Sequence, residues 1–167
     1  MLLGLSKLID MPGAEVPFDT CLDLSDLVFG SCKPVTQPVK ATGKVRNTAG
    51  VLVMTGSITT TIEGVCDRCA DPFQRDVEFP MDAVLVTELE NEDSEDPWVF
   101  ELEGLDANLD DIITTMFVLN MDSKLLCRED CKGLCCRCGK NLNHGSCDCE
   151  PELDPRMAVL QQLLKNK

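Results

Sequence analysis

At 167 residues and 44% hydrophobic content, the chain has material for one sizeable domain, or for a domain plus a small metal-stapled module, and disorder throughout is excluded. Six Phe, one Trp and no Tyr make for an aliphatic core and leave too little aromatic surface for a base-stacking platform. The formal charge of −14 is carried by residues 76–122, which hold fifteen Asp or Glu and neither Lys nor Arg; such a surface repels a phosphate backbone, attracts a basic protein and aids solubility.

The first thirteen residues, MLLGLSKLIDMPG, form an apolar stretch broken by Lys7 and Asp10, without a signal-peptide core or cleavage site. No run approaches a membrane span, so the expected location is cytoplasmic and no membrane partner is expected. Val16 and Phe18 suggest a short strand, which Leu22, Leu24 and Leu27 continue or follow with a turn of helix. From Pro34 to about Glu88 the signals are β. Val35–Arg46 leads through Asn47-Thr48-Ala49-Gly50 into Val51–Glu63. There Leu52, Met54, Ile58 and Ile62 fall on one face at period two, and Thr55, Ser57, Thr59 and Thr61 on the other. Cys66-Asp67-Arg68-Cys69 occupies the next turn. Phe73–Val86 is a further strand, in which Pro80 marks an edge or a bulge.

Glu88–Pro97 is acidic, has nothing to bury and reads as a mobile loop. A short strand follows at Trp98–Leu102. Asn108 caps a helix running to about Asp122, with Asp110 and Asp111 in its first turn, where the helix dipole favours negative charge. Ile112, Ile113, Met116, Phe117 and Leu119 supply its buried stripe. Asp154 and Pro155 begin a last helix with Met157, Leu160, Leu163 and Leu164 inward. The expected fold is α+β: an antiparallel, barrel-like β-domain over residues 1–123 with an acidic loop and one covering helix, then a Cys-rich zinc-knuckle module and terminal helix over 124–167.

Eleven cysteines, many in CxxC-type spacing, point to metal rather than disulfides. The strongest set is Cys135 and Cys138 followed by Cys147 and Cys149. Two such pairs close a tetrahedron of thiolates around Zn²⁺. The intervening Lys140–Ser146 has too few apolar residues to fold by burial, and metal binding supplies the missing free energy, on the order of 10 kcal/mol. Iron–sulfur binding is the rival, since Cys₄ sets serve both. Cys66, Cys69, Cys127 and Cys131 form a second site only if the turn at Cys66 packs against the start of the module. Redox use of Cys66 and Cys69 is disfavoured, because the pair lies between strands rather than at the start of a helix. Cys21 and Cys32 read as small buried hydrophobes. Cys136 is either exposed or a competing ligand, and His144, the one histidine, reads as a solvated loop residue. No nucleophile–base set or phosphate-cradling loop stands out, and a thiolate-closed zinc has no open position, so no enzyme activity is expected.

The run Cys127-x3-Cys131-Lys132-Gly133-Leu134-Cys135-x2-Cys138-Gly139-x-Asn141-Leu142-Asn143, then Cys147-x-Cys149, then Asp154-Pro155-Arg156 with Leu160, resembles the C-terminal signature of the YceD family. Gly64-Val65-Cys66-Asp67-Arg68-Cys69 resembles that family's other landmark, and Cys136 stands where the family has Pro. The resemblance spans roughly residues 43–164. It implies a role in ribosome biogenesis, in the accumulation of large-subunit ribosomal RNA, and brings no catalytic residue. The expected activity is therefore binding: Glu88, Glu90, Glu92, Asp93, Glu95 and Asp96 hold a basic ribosomal protein or a large-subunit assembly intermediate. The alternatives are RNA recognition by Lys124, Arg128, Lys132, Arg137 and Lys140, or, less favoured, a metal- or thiol-dependent enzyme acting on ribosomal RNA precursors.

Overall fold

The computed structural model describes residues 1–30, 32–87 and 96–149. Its elements are β1 (Leu2–Gly4), α1 (Ser6–Ile9), β2 (Glu15–Leu22), β3 (Val39–Thr48), β4 (Val51–Val65), β5 (Pro72–Val86), β6 (Val99–Glu101), β7 (Asp106–Asn108) and α2 (Leu109–Asn120). Five strands form one sheet in the order β2-β3-β4-β5-β6, and β1 pairs with β7 apart from it. The α+β class holds. Two expectations are corrected: the sheet is open rather than a barrel, and β6 joins β5 in parallel while the other neighbours are antiparallel. Closure requires the outer strands to meet. Here β6 has three residues against eight in β2, and α2 covers the sheet instead.

The β3–β4 hairpin follows from its turn. Ala49 and Gly50 both have positive φ, 54° and 95°, the backbone of a two-residue turn whose twist suits right-twisted strands. β3 begins at Val39 rather than Val35, after Pro38, which has no N–H to donate; Val35 makes only an isolated bridge to Ile62. Leu52, Met54, Ile58 and Ile62 are all buried, as their period requires. Pro80 lies where β5 has β4 as its strand partner, since β6 pairs only with Val84–Val86.

Across the middle of the sheet, Phe18, Gly43, Gly56 and Met81 stand in one register row. A Cβ on Gly43 would lie 2.4 Å from the Thr55 carbonyl oxygen, and one on Gly56 2.3 Å from that of Thr42. The two bare backbones let Phe18 and Met81 lie over them, which fills the core without a side chain from either central strand. Buried Asn47 fastens α1 to the hairpin: its Nδ2 donates to the Leu8 and Ile9 carbonyls at 2.8 and 2.9 Å, and its Oδ1 accepts from Gly50 N–H at 2.8 Å.

α2 buries Leu109, Ile112, Ile113, Met116 and Phe117. Phe117 meets Phe29 and Phe79 edge-on, with centroids 6.2 and 5.7 Å apart. Leu119 is 46% exposed, contrary to expectation, because it sits about a quarter-turn off the centre of this stripe. Asn108 is the N-cap residue but does not cap with its side chain; its amide donates to the Glu103 and Asp111 carboxylates, both at 2.8 Å. The terminal helix expected from Asp154 lies outside the described residues, as do Glu88 to Glu95. Among the described residues no helix is long and apolar enough to cross a membrane.

Candidate metal centres

Two sets of four cysteines converge: Cys66, Cys69, Cys127 and Cys131, and Cys135, Cys138, Cys147 and Cys149, with the sulfurs of each set within 4.8 Å of one another. The first set, the inner cluster, is built from two distant segments. Cys66 and Cys69 ride on the β4–β5 turn. It is closed by Cys66 N–H donating to the Asp71 carbonyl and Ala70 N–H to that of Cys66, both at 2.9 Å. Ala70 takes the left-handed conformation, φ 57°, to complete it. Cys127 and Cys131 follow α2. Asp67 joins the halves: its Oδ2 accepts from Leu125 N–H at 2.7 Å, and its own N–H donates to the Leu125 carbonyl at 2.8 Å. Arg68 Nη1 adds bonds to the Glu129 and Cys131 carbonyls, each 3.3 Å.

The Cys66–Cys131 and Cys69–Cys127 sulfurs are each 3.8 Å apart. A tetrahedral ion with metal–sulfur bonds of about 2.3 Å puts its ligands about 3.8 Å apart, so the donor set fits one such ion. Cys66 and Cys69 are 2% exposed and Cys131 5%.

The outer cluster is local and more accessible, with Cys138 exposed and the other three half-buried. Gly139 turns the chain after the first pair at φ 69°, its N–H bonded to the Cys135 carbonyl at 2.9 Å. Cys135 N–H donates in turn to the Lys140 carbonyl at 2.8 Å. The loop this cluster closes leans back on the inner one. Asn143 Nδ2 donates to Cys131 Sγ at 3.3 Å, while its Oδ1 accepts from Lys132 N–H at 2.9 Å and Arg128 Nη2 at 2.8 Å. Asn141 Nδ2 and His144 Nε2 reach the Asp71 carboxylate at 2.5 and 3.1 Å. Sequence reasoning missed Asn143; the Asn-Leu-Asn triplet inside the cysteine run was its only signal.

Within each cluster the sulfurs are driven apart in acidity. Burial alone would raise Cys66, but N–H groups of Cys127, Arg68 and Cys69 outweigh it and bring the thiol down to about 6. Burial and the neighbouring sulfurs push Cys127 up to about 12. Asn143 lowers Cys131. In the outer set the N–H groups of Cys138 and Arg137, with the Cys147 thiol, bring Cys135 down to about 6; the Cys138 sulfur and burial push Cys149 up to about 12. Four sulfurs this close cannot all carry charge unless a cation sits among them.

Other expected residues fall elsewhere. Cys136 is exposed and outside both clusters, as is His144, 72% exposed. Cys21 is exposed and Cys32 half-buried, so neither is the core residue expected: Cys21 lies on the solvent side of edge strand β2, and Cys32 follows Phe29 in a surface bridge. Of the six acidic partner-binding residues only Asp96 is described, and its Oδ1 accepts from Trp98 N–H at 3.0 Å. The described acids of residues 76–122 do not make one face. Asp76, Glu78 and Asp82 line the solvent side of β5, Glu101 and Asp106 belong to β6 and β7, and Asp110 and Asp111 start α2. In the basic set, Arg128 pairs with Asp130 at 3.2 Å and Lys140 donates to the Ser146 carbonyl at 2.6 Å.

A family model described as "Large ribosomal RNA subunit accumulation protein YceD" matches residues 54–164, a span that includes all eight clustered cysteines. An uncharacterized protein of Mycobacterium bovis and one from each of two strains of Mycobacterium tuberculosis are 31% identical to the chain over 122 residues, covering 69% of this chain and 56% of each relative. The match thus spans little more than half the length of those relatives. No solved structure matches.

Proposed function

This chain belongs to the YceD family of large ribosomal RNA subunit accumulation proteins, and we propose that it is a non-catalytic, cytoplasmic zinc-binding factor in ribosome biogenesis that supports accumulation of large-subunit ribosomal RNA. The observation that carries the zinc reading is the pair of four-cysteine clusters inside the family match, with 3.8 Å sulfur spacing in the inner one. Sulfurs within 4.8 Å enclose a single ion and leave no room for a multi-iron core, which favours zinc over an iron–sulfur cluster. Four thiolates also fill a tetrahedral shell and leave no position for water or substrate, which supports binding rather than hydrolysis.

The partner in this reading is a basic ribosomal protein or a large-subunit assembly intermediate, drawn to Glu88, Glu90, Glu92, Asp93, Glu95 and Asp96. Charge supports it: six acids lie within nine residues, in a stretch without Lys or Arg. RNA recognition through Lys124, Arg128, Lys132, Arg137 and Lys140 is weaker, since a zinc bound by four thiolates carries a net charge of −2 beside them. The test is depletion of the protein in cells, followed by re-expression of the native chain or a chain with the six acids changed to amides. The reading predicts loss of large- but not small-subunit RNA, restored only by the native chain. Unchanged RNA on depletion contradicts the function, and full rescue by the amide variant contradicts the acidic contact. RNA binding by the purified protein that weakens steeply with salt would move the contact to the basic set.

A further inference from the structure

The loop that joins the two halves of the outer cluster is also part of the wall of the inner one. Residues 139–146 are tied at their ends by Cys138 and Cys147. Between those ties, Leu142 N–H bonds to the Gly133 carbonyl at 2.9 Å; just ahead of the outer cluster, Leu134 N–H bonds to that of Arg68 at 3.1 Å. A bridge joins Leu134 to Asn141. Gly133 has φ 73°, and a Cβ there would sit 3.0 Å from the Arg68 carbonyl oxygen, so the module is seated closely on the Cys66–Cys69 turn. From this loop the Asn143 amide reaches Cys131 Sγ at 3.3 Å, and Asn141 and His144 hold the carboxylate of Asp71, whose carbonyl closes the turn carrying Cys66.

We propose that the two centres are coupled through this loop: metal in the outer cluster holds Asn143 against Cys131 and thereby governs how firmly the inner cluster keeps its own metal. The inference rests on the reading that both clusters bind zinc. Its physical content is linkage. The loop has almost nothing apolar to bury, so without outer metal what holds it among the described residues is hydrogen bonds that water can replace. Asn143 then loses its fixed position, and the inner tetrathiolate loses an N–H that disperses its negative charge. Because coupling free energies are reciprocal, inner metal must favour outer metal equally. Asn143 is a positioning residue and not a ligand.

Zinc isotope exchange in the full-length chain tests this. The protein is saturated with natural zinc, transferred to excess free zinc-68, and followed by native mass spectrometry. The native chain should exchange in two phases, the slow one belonging to the inner cluster while the outer stays filled. A Cys147→Ser/Cys149→Ser chain should bind one zinc and exchange it about tenfold faster than the native slow phase, the factor expected of one hydrogen bond to a charged group. Asn143→Asp retains oxygens for Lys132 and Arg128 but removes the donor to sulfur. It should keep two zinc ions, accelerate the slow phase about tenfold, and shift the sulfur-to-cobalt charge-transfer band of the cobalt-substituted protein. An unchanged slow phase and band in Asn143→Asp overturn the coupling, whatever the double variant does. A native chain that binds no zinc removes the metal reading as well, whereas two bound zinc ions with an inert Asn143 remove the coupling alone.

Discussion

The two cysteine clusters have the same donors and opposite origins. The outer one draws four cysteines from a single stretch of fifteen residues, 135–149, and has no hydrophobic core of its own among the described residues. The inner one joins residues 58 and 65 positions apart, is buried, and hangs on a turn that two fifteen-residue strands already hold in place. In the proposed reading metal supplies the folding free energy of the outer module, while in the inner one burial and hairpin geometry share the work. The same ligand set can thus act as nucleus or as clasp, depending on what surrounds it.

The sharpest way to break this contrast is to remove metal. With Cys138→Ser, residues 133–149 should become open to protease while the sheet retains its circular dichroism, a loss on the order of 10 kcal/mol from the module alone. Unchanged proteolysis would mean that the loop folds without metal. Cys66→Ser should do more, freeing the segment after α2 as well, because both halves of the inner cluster lose their common ion. Phe117→Ala reverses the experiment: about 3–5 kcal/mol should leave the sheet, read by denaturant unfolding, with zinc content unaltered. Loss of zinc in that variant would show that the clusters lean on the hydrophobic core more than their geometry implies. Asn47→Ala should cost about 1–3 kcal/mol through the lost bonds to the Leu8 and Ile9 carbonyls and from Gly50 N–H, with a similar indifference to zinc.

Zinc affinity should also depend on pH. Without metal, Cys127 and Cys149, pushed up to about 12, carry protons at neutral pH, whereas Cys66 and Cys135, brought down to about 6, are ionised. Zinc must expel the remaining protons, so affinity rises with pH above about 6 and falls further below it as Cys66 and Cys135 also protonate. Equal affinities at about pH 6.5 and about pH 8 would contradict four-thiolate binding.

What could be read in advance follows the same division between local and distant. The β3–β4 hairpin was legible because Ala49-Gly50 suits its turn and Leu52, Met54, Ile58 and Ile62 keep period two over many residues. The grouping of Cys135, Cys138, Cys147 and Cys149 was legible from spacing, since neighbours in sequence need no tertiary fold to meet. The meeting of Cys66 and Cys69 with Cys127 and Cys131 stayed open, because only the packing of Asp67 against Leu125 brings them together. Elements β1 and α1 were too short for periodicity to register. The parallel placement of β6 was not legible, because three residues carry no signal of strand direction. The acid-only stretch looked like one surface by charge, yet strand alternation and helix position scatter its described members.

The most direct test of the account is the zinc content of the purified full-length chain, measured by native mass spectrometry and elemental analysis. Two clusters of four converging cysteines predict two zinc ions per chain, both lost to a strong chelator together with the order of residues 133–149. A chain that is folded throughout and carries no zinc, or one whose module resists protease after both ions are gone, would contradict it.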